Sequence, residues 1–156
     1  MPVLDTAKER RRWLSALAKA DAASFDERLP LERLPGEYVW LRRPESGLVM
    51  VCGRTGGTGA TFNLGEMSVT RCALRLADGT VGMAYLRGRD SLHAQRAALI
   101  DALMQQAEQE DNLEQAWTTW ITPLEARQLQ RRIALAAAAA KTRVEFFTVV
   151  RGEDAS

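Results

Sequence analysis

The dipeptide Asp78-Gly79 constrains the fold of this chain more than any other local feature, because it separates two apolar-rich runs at 68–77 and 80–87. An Asp-Gly pair tolerates the positive φ angles of a two-residue turn, so the pattern predicts a tight β-hairpin. Side chains alternate between the two faces of a strand. One face of the first strand is therefore predicted to be buried, with Cys72, Leu74 and Leu76, and the other to carry Arg71, Ala73 and Arg75.

Further extended segments precede this hairpin. Residues 37–43 and 47–53 are rich in β-branched and aromatic side chains, and a Pro-Glu-Ser tripeptide at 44–46 divides them. This arrangement predicts a second hairpin. A glycine-rich segment at 54–59 interrupts the pattern, and residues 61–66 are predicted to be extended.

Helical patterns flank the predicted strands. Residues 5–20 repeat apolar side chains at the i, i+3, i+4, i+7 spacing of a buried helix face, whereas two prolines within 24–36 allow only a short helix there. A long helix is predicted from 91 to 110, with Asp90 or Ser91 as its N-cap. Its apolar stripe is predicted to contain Leu92, Leu99, Ile100, Leu103 and Ala107.

A second helix is predicted after the long one. Residues 122–125 have the sequence Thr-Pro-Leu-Glu, typical of a capping box with proline in the first turn, so the helix is expected to begin there. Its apolar side is predicted to hold Leu129, Ile133, Ala136, Ala137 and Ala140. Just before it, Trp117, Trp120 and Ile121 are expected to pack against the core.

The order of these elements predicts the fold class. A helix comes first, then several antiparallel strands, two helices, and a closing C-terminal strand at 142–150. Because strands and helices do not alternate, an α+β fold with an antiparallel β-sheet packed against helices is favoured over a doubly wound sheet. A chain of this length is most often one domain, so residues 1–156 are predicted to form a single domain.

The composition is that of a globular protein, with 46% hydrophobic and 26% charged residues. The net charge of +1 argues against a nucleic-acid coat protein. No apolar run could span a bilayer, and no signal peptide is visible, so a cytoplasmic protein without membrane attachment is expected. Two reduced cysteines, Cys52 and Cys72, and the single histidine His93 are too few for a metal site built by this chain alone.

The basic residues are mostly arginines, since only three of the 21 are lysines. This bias reflects either codon composition or interface chemistry, because arginine forms bidentate contacts to carboxylates. Aromatic side chains do not alternate with the arginines as they do on nucleic-acid stacking surfaces. Some arginines are instead expected to pair with acidic residues of the same surface or of another subunit, within a stripe of Arg71, Arg75, Arg87 and Arg89.

The glycine-rich segment is the most suggestive local motif. Its backbone N–H groups could form an anion-binding nest, to which Arg54 adds charge. The motif lacks the lysine of a phosphate-binding P-loop, and it does not open a helix. The alternative is a flexible strand connection, or a surface that a partner approaches closely. The residues concerned are Arg54, Thr55, Gly56, Gly57, Thr58 and Gly59.

His93 is the only imidazole available for acid–base chemistry. It falls in the first turn of the predicted long helix, where a surface or capping histidine is the alternative. A Cys–His pair would need Cys52 or Cys72 beside it, and both lie in apolar runs typical of inert buried thiols. The residues alone therefore predict no catalytic constellation.

Short motifs recur in order along nearly the whole chain. They are residues 54–59, Phe62, Gly65-Glu66, Val69-Thr70-Arg71, Leu76, Asp78-Gly79, Gly82, Gly88-Arg89-Asp90, His93-Ala94, residues 98–105 and residues 143–152. In these motifs the chain resembles the PhnG family, the G subunit of the bacterial carbon–phosphorus (C–P) lyase.

The resemblance implies a role in organic phosphonate catabolism. It implies that the G subunit joins subunits H, I and J in a two-fold symmetric core complex, with K and L functionally associated. Subunit I, with G beside it, is implied to couple a phosphonate to ATP with displacement of adenine, giving a ribose 1-phosphonate 5-triphosphate. Subunit J is implied to cleave the C–P bond with S-adenosylmethionine and an iron–sulfur cluster. No cofactor and no catalytic residue of its own is implied for G.

Three functional hypotheses follow. The first is a non-catalytic accessory subunit, in which the glycine-rich segment, Arg71, Arg89 and His93 contact a partner or a phosphate. In the second, His93 and Arg89 complete a composite active site with subunit I. The third is a stand-alone phosphate- or nucleotide-binding module. An isolated chain could also associate with itself through surfaces that partners normally cover.

Overall fold

The computed structural model describes residues 6–21 and 37–141 of the 156-residue chain. The short helix expected within 24–36 and the closing strand expected at 142–150 lie outside these ranges. In chain order the elements are α1 (Thr6–Lys19), β1 (Tyr38–Arg54), a 3₁₀ turn (Thr55–Gly57), β2 (Thr61–Leu76), β3 (Val81–Arg87), α2 (Ser91–Gln109), α3 (Leu113–Ala116), a π-helical turn (Trp117–Ile121) and α4 (Thr122–Lys141).

The hairpin between β2 and β3 confirms the prediction from Asp78-Gly79. Gly79 has φ +94°, a conformation that favours glycine. The Leu76 N–H donates to the carbonyl of Thr80 at 2.9 Å, and the Thr80 N–H donates to the Asp78 carboxylate at 3.0 Å. The turn thus sets the antiparallel register of the two strands, in which Arg75 pairs with Val81.

The second predicted hairpin is wrong. The segment around Pro44 does not turn the chain, and β1 continues antiparallel to β2 from the Tyr38–Leu76 pair to the Arg54–Thr61 pair. The register shifts by one residue between Arg42 and Glu45, which indicates a β-bulge around the proline. Proline is tolerated there because, among the residues that the structure describes, β1 pairs only with β2 at the edge of the β1-β2-β3 sheet, so no second strand there needs its missing N–H. The extended segment 61–66 is the first part of β2.

Helices α1 and α2 pack against one face of the sheet, and the predicted alternation of β2 is confirmed. Cys72, Leu74 and Leu76 are buried on the helical side, whereas Arg71 and Arg75 are exposed on the other. The fold is therefore α+β with an antiparallel sheet. The largest fully buried apolar side chains are Trp13, Leu17, Leu74, Leu99, Ile100, Met104 and Ile121.

Helix α2 begins as predicted. The Asp90 carboxylate accepts a hydrogen bond from the His93 N–H at 2.9 Å, the geometry of an N-cap. Leu99 and Ile100 are buried, but Leu92 is 43% exposed, which contradicts its place in the apolar stripe. Leu92 is in the first turn of the helix and lines a surface pocket together with Trp40. The neighbouring residue, His93, is the one that is buried in this turn.

Helix α4 does not begin with a cap at Thr122, which contradicts the capping-box prediction. Thr122 is already helical, with φ −54° and ψ −43°, and its N–H donates to the carbonyl of Trp117, five residues earlier. Pro123 has no N–H for the carbonyl four residues earlier, and a wider π turn just before it accommodates its ring. Ile121 is buried, and Trp117 and Trp120 pack against the core as expected.

Among residues 6–21 and 37–141, no helix combines the length and the apolar character that crossing a lipid bilayer requires.

Candidate partner interface

The glycine-rich segment forms the tip of the β1–β2 hairpin. Gly56 and Gly57 have φ angles of +58° and +80°, which side chains with a Cβ rarely adopt. The Gly59 N–H closes the turn by donating to the Thr55 carbonyl at 2.8 Å. Arg54 reaches back to the Gly59 carbonyl at 3.5 Å, a long contact, so its guanidinium is only loosely held.

The predicted site residues do not form one site. Arg71 pairs with Glu45, nine residues of β1 before the tip at Arg54. At the rise of an extended strand, this separates Arg71 from the glycine-rich tip by about 30 Å. Arg89 is exposed just before α2, and His93 lies on the helical side of the sheet.

His93 is a buried side chain that contacts the end of α1, rather than a surface residue or a side-chain cap of its own helix. It is 9% exposed, and its Nε2 lies 2.9 Å from the carbonyl oxygen of Leu17. That carbonyl belongs to the last turn of α1, where intrahelical donors run out. The side chain of Gln128 in α4 donates a hydrogen bond to the preceding carbonyl, that of Ala16, at 2.7 Å. Side chains of α2 and α4 therefore hold the end of α1, and His93 is one of them.

Beyond the end of β3, strands β1 and β2 continue as a two-stranded ribbon. This ribbon, defined as residues 48–54 and 61–68, exposes apolar side chains on both faces, and Leu64 is 63% exposed. A bulge at Leu64 places its side chain over Gly53, where a Cβ would lie only 2.6 Å from Leu64 Cδ1. A two-stranded ribbon is at best marginally stable in water. Its other exposed apolar residues are Leu48, Met50 and Phe62.

The C-terminal half of α4 is also exposed. Every residue from 129 to 141 is exposed, and Leu135 reaches 64%. The predicted apolar side of this helix, with Leu129 and Ile133, therefore faces solvent instead of the chain's own core. The alanines at 136–140 would let another element approach the helix backbone closely.

The sheet face opposite the helices is the third exposed surface. We call it the open sheet face. Four cross-strand rows compose it, read from β1 through β2 to β3: Val39–Arg75–Val81, Arg42–Ala73–Met83, Glu45–Arg71–Tyr85 and Gly47–Val69–Arg87.

Glu45 is the acidic centre of the open sheet face. Its Oε1 accepts hydrogen bonds from Arg42 NH1 and from Arg71 Nε, the latter at 2.7 Å. These two bonds, from Arg42 and then Arg71, lower the pKa of the Glu45 carboxyl. The expectation that arginines of the stripe pair with acidic residues of the same surface is thus confirmed for Arg71.

Comparison with known proteins decides the family. The family model described as "Phosphonate metabolism protein PhnG" matches residues 8–152. The chain is also 39% identical, over 146 residues, to the alpha-D-ribose 1-methylphosphonate 5-triphosphate synthase subunit PhnG of Rhizobium meliloti (strain 1021); the match covers 94% of this chain and 91% of that protein. The chain belongs to the PhnG family. The resemblance inferred from its dispersed motifs is confirmed.

In this PhnG-family chain, sequence reasoning missed the most connected polar side chain. Asp101 is fully buried and accepts hydrogen bonds from Trp13 Nε1 at 2.8 Å and from the Met83 N–H at 3.0 Å. Arg10 of α1 adds a bidentate pair at 2.8 and 3.2 Å. The signal was available, because a lone carboxylate within the apolar stretch 97–104 of a helix must find buried donors.

A second cluster of the PhnG-family chain joins α1 to α4. Arg12 donates to both carboxylate oxygens of Glu125, at 2.9 and 2.8 Å, and its guanidinium carbon lies 4.5 Å from the ring centroid of Trp117. The hydrogen bonds to Glu125 raise the pKa of Arg12, against a smaller opposing effect of burial. Trp117 in turn meets Trp13 edge to face, with centroids 6.3 Å apart. The cluster is satisfied internally and holds the helices together.

Proposed function

We propose that this PhnG-family chain is a non-catalytic accessory subunit of the C–P lyase system. In this proposal it supports the partner subunit that couples a phosphonate to ATP with displacement of adenine, giving a ribose 1-phosphonate 5-triphosphate. Its partners are subunits H, I and J in a two-fold symmetric core, with K and L functionally associated. ATP, S-adenosylmethionine and the iron–sulfur cluster are then used by those partners.

The observation that carries the proposal is the exposed apolar surface of two projecting elements. The ribbon exposes Phe62 and Leu64, and α4 exposes Ile133 and Leu135. Obligate interfaces are large and apolar, like a domain core cut in two, so such elements are expected to be covered in an assembly. The family relative supports the same role, since its name describes it as a synthase subunit.

The burial of His93 bears on the composite-site hypothesis. A group that moves a proton on a substrate must come within hydrogen-bond reach of it, but the His93 ring lies under α1 against Leu17. Arg89 is exposed and lies beside the N-cap of α2, so it could contact a partner's ligand without His93. The accessory role is therefore the better supported hypothesis.

The test is reconstitution with the partner subunits. The chain is co-expressed with subunits H, I and J, and adenine release from ATP and methylphosphonate is measured in the presence of L. We expect turnover with the full set, none with the chain alone, and at least about tenfold less when the chain is omitted. Adenine release by the chain alone, or equal turnover without it, would contradict the proposal.

Two substitutions test whether the projecting ribbon mediates the support. Phe62→Asp with Leu64→Asp places charges on exposed apolar positions and is expected to prevent co-purification with subunit I while leaving the Tm of the isolated chain nearly unchanged. Lys8→Gln, at an exposed position of α1, is the control. If the double variant assembles normally, the ribbon is not part of the interface.

A further inference from the structure

We infer that the open sheet face binds a carboxylate-bearing surface of a partner protein, and that its arginines recognise that surface. This inference rests on the proposed function and deepens it, because it names one face of the chain and the chemistry of what covers it.

Charge is the first argument. Among the rows of the open sheet face there are four arginines and one glutamate, which leave a formal charge of +3, although the whole chain carries only +1. The arginines come from all three strands, so the fold gathers the charge on one surface. They are Arg42, Arg71, Arg75 and Arg87.

Hydrogen-bonding capacity is the second argument. Glu45 accepts hydrogen bonds from Arg42 and from the Nε of Arg71. Within the described ranges, the two terminal guanidinium nitrogens of Arg71 therefore have no acceptor. Arg75 and Arg87 are exposed and form no ion pair with any residue of 6–21 or 37–141. Planar guanidinium groups match carboxylates in bidentate geometry. Acidic side chains are therefore the natural complement of this face.

The apolar residues between the arginines favour a protein over a nucleic acid. Tyr85 is 57% exposed next to Arg71, and Met83 and Val39 are exposed in the neighbouring rows. Tyrosine, methionine and arginine are enriched at the centres of protein interfaces. A nucleic-acid site would need further aromatic stacking platforms, and the acidic Glu45 in the third of the four rows would repel phosphates.

Charge repulsion across a two-fold axis argues against a second copy as the partner on this face. A two-fold interface brings the same patch of both copies together. Such a dimer would place four arginines of one copy against four of the other, and like charges brought together across an interface are unfavourable. The occupant is therefore a different protein, one of opposite charge at the contact.

The experiment uses the full chain with its proposed partner subunits. Arg75→Glu with Arg87→Glu reverses two charges without breaking an ion pair among the described residues. Lys8→Glu with Arg11→Glu makes the same change on the exposed side of α1. We expect the first pair to raise the Kd for subunit assembly at least about tenfold, whereas the α1 pair changes it less than about threefold. Arg75→Lys with Arg87→Lys keeps both charges but loses the planar bidentate geometry, so we expect a Kd between those of the wild type and the reversal. Added salt should weaken the wild-type assembly.

The outcomes separate the two proposals. If the wild-type chain does not assemble with subunits H, I and J, the proposed function fails and this inference fails with it. If the wild type assembles and the Arg75/Arg87 reversal assembles equally well, only this inference is overturned. It is also overturned if sedimentation of the isolated chain shows a dimer that the same reversal dissociates, because the occupant would then be a second copy.

Discussion

The indole Nε1 of Trp13 donates to Asp101 at 2.8 Å, which joins α1 to α2 across 88 residues of sequence. The same carboxylate accepts hydrogen bonds from Arg10 and from the Met83 N–H, so it connects both helices to β3. One buried charge thereby sets the position of α1 on the sheet.

Replacing Asp101 tests this connection. Asp101→Asn removes the charge that Arg10 faces and one acceptor oxygen, and we expect a loss of about 3 kcal/mol in the free energy of unfolding. Glu125→Gln is the matched control, because it neutralises the largely exposed pair with Arg12 and should cost less than about 1 kcal/mol. Urea unfolding of both variants checks the prediction, and equal losses would contradict it.

Gly82 lies where β3 approaches the backbone of α2. A Cβ at this position would come 2.0 Å from the carbonyl oxygen of Ala98 and 2.9 Å from Ala102 Cβ. Gly82→Ala must therefore separate strand from helix, and we expect it to destabilise the chain by about 3 kcal/mol. Gly47→Ala, which meets no atom within 4 Å, should change stability by less than about 0.5 kcal/mol. Thermal unfolding distinguishes the two, and a tolerated Gly82→Ala would refute the close approach.

The two cysteines should differ sharply in reactivity. Burial raises the pKa of Cys72 to about 11, whereas Cys52 is exposed, contrary to the expectation that both thiols are buried. In the native chain at pH 8, a thiol reagent should label Cys52 alone, and Cys52→Ser should abolish the fast reaction. Rapid labelling of two thiols in the native protein would contradict this.

The same shift predicts a loss of stability at alkaline pH. Because the folded-state pKa of Cys72 lies above its ordinary value of 9.0, the unfolded chain releases this proton first. The stabilisation is complete below pH 9 and declines as the pH rises toward 11. Cys72→Ser should flatten this part of the stability profile relative to the wild type. If the free energy of unfolding of Cys72→Ser falls as steeply between pH 9 and 11 as that of the wild type, other groups cause the decline.

The ribbon should exchange its amide hydrogens faster than the rest of the sheet. Within the described ranges, residues 48–54 and 61–68 belong to two strands only, whereas 69–75 lie between β1 and β3. In the isolated chain we expect rapid exchange in the ribbon, and at least about tenfold slower exchange once partner subunits cover it. Equal protection of ribbon and central strand in the isolated chain would contradict the assignment of the ribbon as a partner-facing element.

The sequence predicted those parts of the fold that short-range chemistry determines. Asp78-Gly79 fixed one hairpin because turn geometry is local, and Asp90 marked the start of α2 for the same reason. Pro44 misled the interpretation because a proline breaks a central strand but not an edge strand, and the position of a strand in the sheet is a tertiary property. Thr122 misled it similarly, since the helix already formed upstream overrides a local cap.

Only some residues of the candidate interface could be predicted from the sequence. The predicted stripe already joined Arg87 to Arg71 and Arg75, but only strand pairing adds Arg42 and Glu45 to the same face. The single histidine drew attention as a chemical group, yet its role depends on α1, 76 residues away. Long-range contacts of this kind leave no periodic pattern to read.

Strand β2 belongs at once to the ribbon and to the centre of the sheet, without a break between Thr61 and Leu76. The ribbon and the centre of the sheet therefore share one strand, although the bulge at Leu64 interrupts the pairing of that strand with β1. We expect a partner that displaces the tip also to displace the backbone of β2 at Val69, which pairs with the last residue of β3. A displacement at the glycine-rich end would in this way reach the part of β2 on which α2 packs.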